Sequence, residues 1–273
     1  MMFVLLALML SPANAQRFGF AVYDVDRLYD TLPSLFYDDS DYTPDGRLKW
    51  NSGRYERKVA AVAAVLDSMA LPVVALCGVE NENVVRDIVS RCKCDYSYIH
   101  RTLDAYDGLD LALLYFGDML FPSNVGAGRG LLAVEAVVQD AEYAFVVCRR
   151  PQELAGVVGE LRRKKPGMRI VAAGDLRDTN LESLGLRDAT SDLAAEGRGN
   201  ALFSNGWKMA DRIAVDRDAE CECSVFVRRW LLDRRGAPAP TYEGARYRGG
   251  AGRRLPVCCF TGAGNLHNQN IKK

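Results

Sequence analysis

Short apolar runs recur along the chain at Phe18–Tyr23, Val73–Leu76, Leu109–Phe116, Ala144–Cys148, Met168–Ala173, Ile213–Val215 and Leu255–Phe260. Each has strand length, and together they predict a sheet core. Helical patterns lie between them. Tyr55–Met69 (YERKVAAVAAVLDSM) places apolar residues at helical spacing, with Lys and Arg on the other face, and Glu82–Ser90 and Pro151–Lys165 look similar. The last of these opens on Pro151 and closes on Arg162-Arg163-Lys164-Lys165 before Pro166-Gly167, with cations at the negative end of the helix dipole. That basic run reads as a solvated helix end rather than a nucleic-acid patch. Strands interleaved with helices predict an α/β fold, and the absence of repeats, low-complexity stretches or linkers predicts one domain.

The extreme N-terminus departs from this pattern. Residues 1–15 carry an apolar stretch, then Pro12 and the small-residue site Ala13-Asn14-Ala15, which predicts a signal peptide and export to the periplasm or beyond. The domain is then expected over 16–262, with a polar tail at 263–273. No later apolar run is long enough to span a membrane.

Of the 273 residues, 35 are Lys or Arg and 35 are Asp or Glu, so the net charge is zero and a uniformly basic nucleic-acid coat is excluded. The charge is uneven all the same. Asp24–Asp45 holds seven aspartates and one Arg, whereas Arg228–Arg254 holds eight arginines, so the two segments are expected to pair or to leave a basic patch for an anion.

With only His100 and His267 in the chain, a mechanism needing two catalytic histidines is nearly excluded. Eight cysteines in an exported chain suggest disulfides. Cys77, Cys148, Cys258 and Cys259 fall in apolar strand runs as buried thiols. Cys92/Cys94 and Cys221/Cys223 form two C-x-C pairs, which depart from the usual C-x₂₋₄-C of zinc sites, so disulfides or plain thiols are expected there instead.

One ordered set of motifs says more. It begins with Phe20–Asp30 (FAVYDVDRLYD), followed by Asp41-Tyr42-Thr43-Pro44, Trp50, Tyr55 and Lys58, then Val79-Glu80-Asn81 and Gly108–Tyr115. Gly174-Asp175-Leu176-Arg177-Asp178 and the Trp207/Asp211 pair come next, and Thr241-Tyr242, Tyr247, Gly249-Gly250 and Leu255-Pro256-Val257 close it. The set resembles the endonuclease/exonuclease/phosphatase superfamily, and within it the exported bacterial branch, over almost the whole mature chain. The resemblance implies a deoxyribonuclease-I-like four-layered α/β sandwich, with two facing mixed sheets flanked by helices.

It also implies a chemistry, metal-assisted phosphoester hydrolysis by carboxylates, an activating Asp, and phosphate-stabilising Asn and His groups. Position by position, this chain departs from that pattern. Asp24 stands where the family has Asn beside the metal. The first Glu of E-V-E-N, the main metal ligand, is Gly78; Glu80 is kept, but two residues along a strand is roughly 6.8 Å away, so it could ligate only if the strand end bent. Arg149 replaces a phosphate-contacting His, and Arg177 the phosphate-binding Asn. Asp175 keeps the general-base position, Asp178 is kept, and Asp211 matches the Asp that orients a late His. That His belongs to the family's S-D-H segment before L-P-V, where this chain has Gly252-Arg253-Arg254. His100 matches a His the branch often carries.

The expectation is therefore a catalytically degenerate member, a pseudoenzyme with a binding or structural role. Asp175, Asp178 and Asp211 hold retained catalytic positions, Asp24 and Glu80 are weak metal candidates, and Arg149, Arg177, Arg253 and Arg254 are candidate anion ligands. No cofactor is expected. The alternative is an active Mg- or Mn-dependent phosphoesterase or nuclease with a rearranged site. An anionic or phosphate-bearing ligand, or a protein partner, follows from the first reading.

Overall fold

The computed structural model describes residues 18–261, so the expected signal peptide and the polar tail lie outside the described residues. The first strands in chain order are β1 (Phe18–Leu28), β2 (Val73–Val79), β3 (Tyr96–Arg101), β4 (Asp110–Phe116), β5 (Leu120–Ala127) and β6 (Leu131–Val138). They are followed by β7 (Ala141–Cys148), β8 (Arg169–Gly174), β9 (Leu186–Asp188), β10 (Ala201–Phe203) and β11 (Gly206–Lys208). The last are β12 (Arg212–Asp216), β13 (Cys221–Val225), β14 (Tyr242–Glu243), β15 (Arg246–Tyr247) and β16 (Val257–Thr261). The α-helices are α1 (Ser52–Met69), α2 (Glu82–Arg91), α3 (Leu154–Lys164) and the short α4 (Ser191–Ala195).

Two six-stranded sheets face each other, ordered β13-β16-β1-β2-β4-β3 and β5-β6-β7-β8-β12-β9. Both are mixed: β1–β2 and β7–β8 run parallel and the other pairs antiparallel. Alternation along the strands explains the layering. On β1, Phe18, Phe20 and Val22 point between the sheets, against Tyr143 and Phe145, while Ala21, Tyr23 and Val25 point at α1 and α2. A strand buried on both faces reads as a continuous apolar run, which is how the sequence presents it. A third apolar layer lies under α3, built from Leu154, Val158 and Leu161 against Val146, Ile170 and Ala172. The result is the four-layered α/β sandwich expected from the sequence. Among the described residues, no helix is long and apolar enough to cross a membrane.

Several elements differ from the reading of the periodicity. α1 starts at Ser52 rather than Tyr55, because the Asn51 side chain accepts from the Arg54 amide and caps it. Pro151–Glu153 forms a 3₁₀ turn before α3. β6 (LLAVEAVV) suits a helix or a strand equally; the Gln139-Asp140 turn to β7, with both residues at positive φ, makes it a hairpin arm. β3, β5 and β13 are edge strands with polar faces, so periodicity did not mark them.

Both sheets end toward the same pole. The carboxyl ends of parallel β1/β2 and β7/β8, together with the starts of β12 and β16, deliver Asp24, Gly78, Arg149, Asp175, Asp211 and Arg254 to that end.

Candidate functional site

The site is organised by a break in β1. Pairing with β2 shifts register between Asp24 and Leu28, and Asp26 and Arg27 adopt left-handed backbone angles (φ 56° and 57°). Asp24 Oδ1 accepts from the Asp26 amide at 2.8 Å, which stabilises the bulge. Such angles cost non-glycine residues roughly 1–2 kcal/mol each.

Into this bulge reaches Arg254. Its Nη1 donates to Asp211 Oδ1 at 2.5 Å and lies 3.1 Å from Asp24 Oδ2. Asp211 is only 2% exposed. Its other oxygen accepts from Asn200 Nδ2 at 2.7 Å, while Asn200 Oδ1 takes the amides of Ala210 and Asp211. Burial pushes the Asp211 carboxyl up to about 6 and the Asp24 charge adds to this, against the pull of Arg254 and Asn200. Burial also works to discharge Arg254, but Asp211 and Asp24 outweigh it and hold the guanidinium above its ordinary range. One guanidinium thus joins two carboxylates.

Arg149 and Arg177 have carboxylate partners as well. Arg149 makes a two-pronged pair with Asp107 (Nη1 to Oδ1 3.2 Å, Nη2 to Oδ2 2.9 Å) and donates to Leu109 O at 2.6 Å. Arg177 holds both oxygens of Asp175, Nε to Oδ1 at 2.8 Å and Nη2 to Oδ2 at 2.6 Å. Burial raises the Asp175 carboxyl, yet the Arg177 hydrogen bonds prevail and hold it below the ordinary carboxylate range. Gly174 fixes the place of Asp175: at φ 122°, a Cβ there would stand 2.0 Å from Cys148 O. Asp178 is exposed at φ 59°. Arg253 is exposed, donates to Tyr242 O at 2.9 Å, and has no carboxylate partner among the described residues.

Glu80 faces elsewhere. Its oxygens accept from the Asp30 amide at 2.5 Å and from Tyr37 Oη at 2.8 Å, and burial pushes its carboxyl up to about 7. It thereby fastens the 30–39 loop and does not line the cleft. At Gly78 (φ 85°), a Cβ would lie 3.2 Å from Asp24 Oδ1, so the Asp24 carboxylate already crowds the space in which a ligand side chain from this position would start. These groups do not fit a divalent cation of the Mg²⁺ class, which needs several convergent oxygens. One oxygen each of Asp24 and Asp211 is held by the Arg254 guanidinium, and among the described residues no third carboxylate joins them.

Asp24, Gly78, Arg149, Arg253 and Arg254 line a cleft of about 620 Å³, together with Arg27, Tyr42 and Tyr242. His100 does not line it; its Nε2 lies 2.9 Å from Asp110 Oδ2, both side chains buried. The groups that sequence reasoning missed are partners. Asn200 lies in a polar run without any signal, and Asp107 is part of a recognised motif yet gives no sign that it would hold Arg149.

Residues 19–139 match the model of the Endonuclease/Exonuclease/phosphatase family. Among solved structures, the chain is similar to a mannosyl-6-phosphatase of Bacteroides thetaiotaomicron, at 15% identity over 89% of this chain and 98% of that one, with a TM-score of 0.57. It is similar to a functionally unknown conserved protein from Enterococcus faecalis, at 13% identity over 90% and 100%, with a TM-score of 0.60. It is similar to TDP2 from C. elegans too, at 11% identity over 91% and 76%, with a TM-score of 0.58. These likenesses are of fold. None of the curated proteins matches the chain in sequence.

Proposed function

We propose that this chain, whose residues 19–139 match the model of the Endonuclease/Exonuclease/phosphatase family, is a non-hydrolytic member of that superfamily, exported, whose cleft serves binding. The observation that carries the reading is Arg254 lodged between Asp24 and Asp211. A guanidinium stays charged at all relevant pH values and cannot pass a proton as an imidazole does. Fixed positive charge here takes over the neutralising role of a cation, and Asp211–Arg254 cannot act as an acid–base pair. Asp175, at the general-base position, has both oxygens held by Arg177 in place of a water. Catalytic groups act as a unit, so losing several together is far harder to compensate than losing one.

The ligand class follows from what the cleft leaves open. Arg149, Arg177 and Arg254 are engaged by carboxylates; Arg253, exposed at the mouth, offers guanidinium donors to an anionic or phosphate-bearing group or to an acidic protein surface.

The test is hydrolysis of bis-p-nitrophenyl phosphate and plasmid DNA with Mg²⁺, Mn²⁺ or EDTA, with Asp175→Asn alongside. The expected result is no metal-dependent turnover, together with a thermal shift by inorganic phosphate that Arg253→Ala removes. Metal-dependent turnover abolished by Asp175→Asn would overturn the reading and favour an active phosphoesterase built from Asp24, Asp175, Asp178 and Asp211, without Glu80, which faces away from the cleft.

A further inference from the structure

The two C-x-C pairs lie at opposite edges of the first sheet, Cys92/Cys94 just before β3 and Cys221/Cys223 on β13. Five strand spacings separate those edges, roughly 24 Å, so the four cysteines cannot share a site. Cys92 and Cys94 lie beside Asp67, whose Oδ1 accepts the Lys93 and Cys94 amides. Cys221 and Cys223 have a different third partner, since Cys223 pairs directly across from Cys259 on β16. Residues 221 and 223 share one face of β13, the face turned to the inter-sheet layer, and Cys259 points into the same layer. The three Sγ atoms lie within 4.8 Å of one another.

We propose that Cys221, Cys223 and Cys259 form a thiolate site for one thiophilic divalent cation of the Zn²⁺ class, separate from the cleft. The dimensions suit it. Tetrahedral zinc with sulfur at about 2.3 Å has sulfurs roughly 3.8 Å apart, so only a small closing of the triangle is needed. Soft sulfur ligands select zinc over Mg²⁺ or Ca²⁺. Three thiolates and one Zn²⁺ leave a single negative charge, and the structure supplies a counter-charge. Arg187 Nη2 donates to Cys221 Sγ at 3.2 Å and is held there by Ala219 O at 2.6 Å. This is the outer-shell support that metal ligands usually have. Binding replaces three S–H bonds with three S–Zn bonds and releases three protons, with water completing the fourth position. Cys221 and Cys223 are half-buried on an edge strand, so a cation can enter without the sheets parting.

The test uses the full chain, reduced, and Zn²⁺ alone. One Zn²⁺ per chain is expected, with protons released on binding and Cys221, Cys223 and Cys259 protected from alkylation as mapped by mass spectrometry. Cys221→Ser should weaken binding by more than about a hundredfold, Arg187→Gln by about 10–100-fold, and Cys92→Ser should leave it unchanged. The protection map needs no variant and so stands even if a substituted chain fails to fold. Absence of stoichiometric binding, protection confined to other cysteines, or a disulfide joining any two of the three in the chain recovered from its native compartment would each overturn the proposal.

Discussion

Arg254 and Asp211, 43 positions apart in the chain, meet at 2.5 Å at the base of the cleft, where the carboxylate is almost fully buried and the guanidinium is 28% exposed. The resemblance gives these positions to an orienting Asp and a late His. In this chain a carboxylate there faces a guanidinium, which does not titrate in the working pH range as an imidazole does. It also brings Asp24 into the same network.

Removing this guanidinium leaves two carboxylates facing each other. Arg254→Ala should lower stability by about 3–5 kcal/mol, the usual cost of leaving a buried charge without its partner. Urea unfolding gives the number. In the same variant Mg²⁺ should raise the unfolding midpoint, because a cation can now take the guanidinium's place, whereas the unsubstituted chain should show no shift. Equal shifts in both chains would disprove the idea that Arg254 occupies the cation's position.

Introducing a carboxylate at Gly78, the position the resemblance gives to a metal-ligating Glu, should not by itself create a metal centre. Gly78→Glu forces a left-handed backbone on a non-glycine residue, with Cβ 3.2 Å from Asp24 Oδ1. A cost of about 1–2 kcal/mol is expected from backbone strain. Gly78→Ala should share that loss, and the excess in Gly78→Glu then measures repulsion from Asp24. Thermal melts of both variants, with phosphodiester hydrolysis recorded for Gly78→Glu, make the comparison.

Glu80 gives the fold an acid-side pH dependence. Burial lifts its carboxyl from 4.5 to about 7, so the folded chain holds a proton that the unfolded chain has released across that interval. The stabilisation is complete below 4.5 and is lost as pH rises through about 7. Glu80→Gln, which keeps an acceptor for the Asp30 amide, should flatten this part of the stability–pH curve. A slope unchanged in the variant would assign the dependence to another group.

Lys58 should act in the opposite sense on the alkaline side. It is buried, with Nζ donating to Thr241 Oγ1 at 2.5 Å and Ala251 O at 2.7 Å, and burial lowers it from 10.5 to about 8. The folded chain releases this proton before the unfolded chain does, so stability rises with pH between about 8 and 10.5. Lys58→Met should remove that rise and lower stability at neutral pH by leaving two acceptors unsatisfied. Urea midpoints across the interval read both effects.

Much of the fold was legible because two-sided burial writes itself into local composition. β1, β2, β4, β7, β8, β12 and β16 all run through apolar segments, and α1 and α2 carry their stripes openly. The edge strands were not legible, since β3, β5 and β13 expose polar faces and owe their conformation to a neighbour. Which residues stand at the motif positions of the site could be read through the resemblance. Their pairings could not: that Arg149 would take Asp107, that Glu80 would turn to Tyr37, and that Asn200 would hold Asp211 all depend on contacts across the sandwich.

The sequence by itself determined the layers, the family resemblance and which residues stand at each motif position, because hydrophobic period and residue identity are local properties of the chain. Only the tertiary structure decided what each charged or sulfur-bearing side chain meets. It placed Arg254 between two aspartates and turned Glu80 away from the cleft. It also joined Cys259 to Cys221 and Cys223 through strand register, since a contact between distant segments is set by how sheets pair and pack, and no local pattern encodes it.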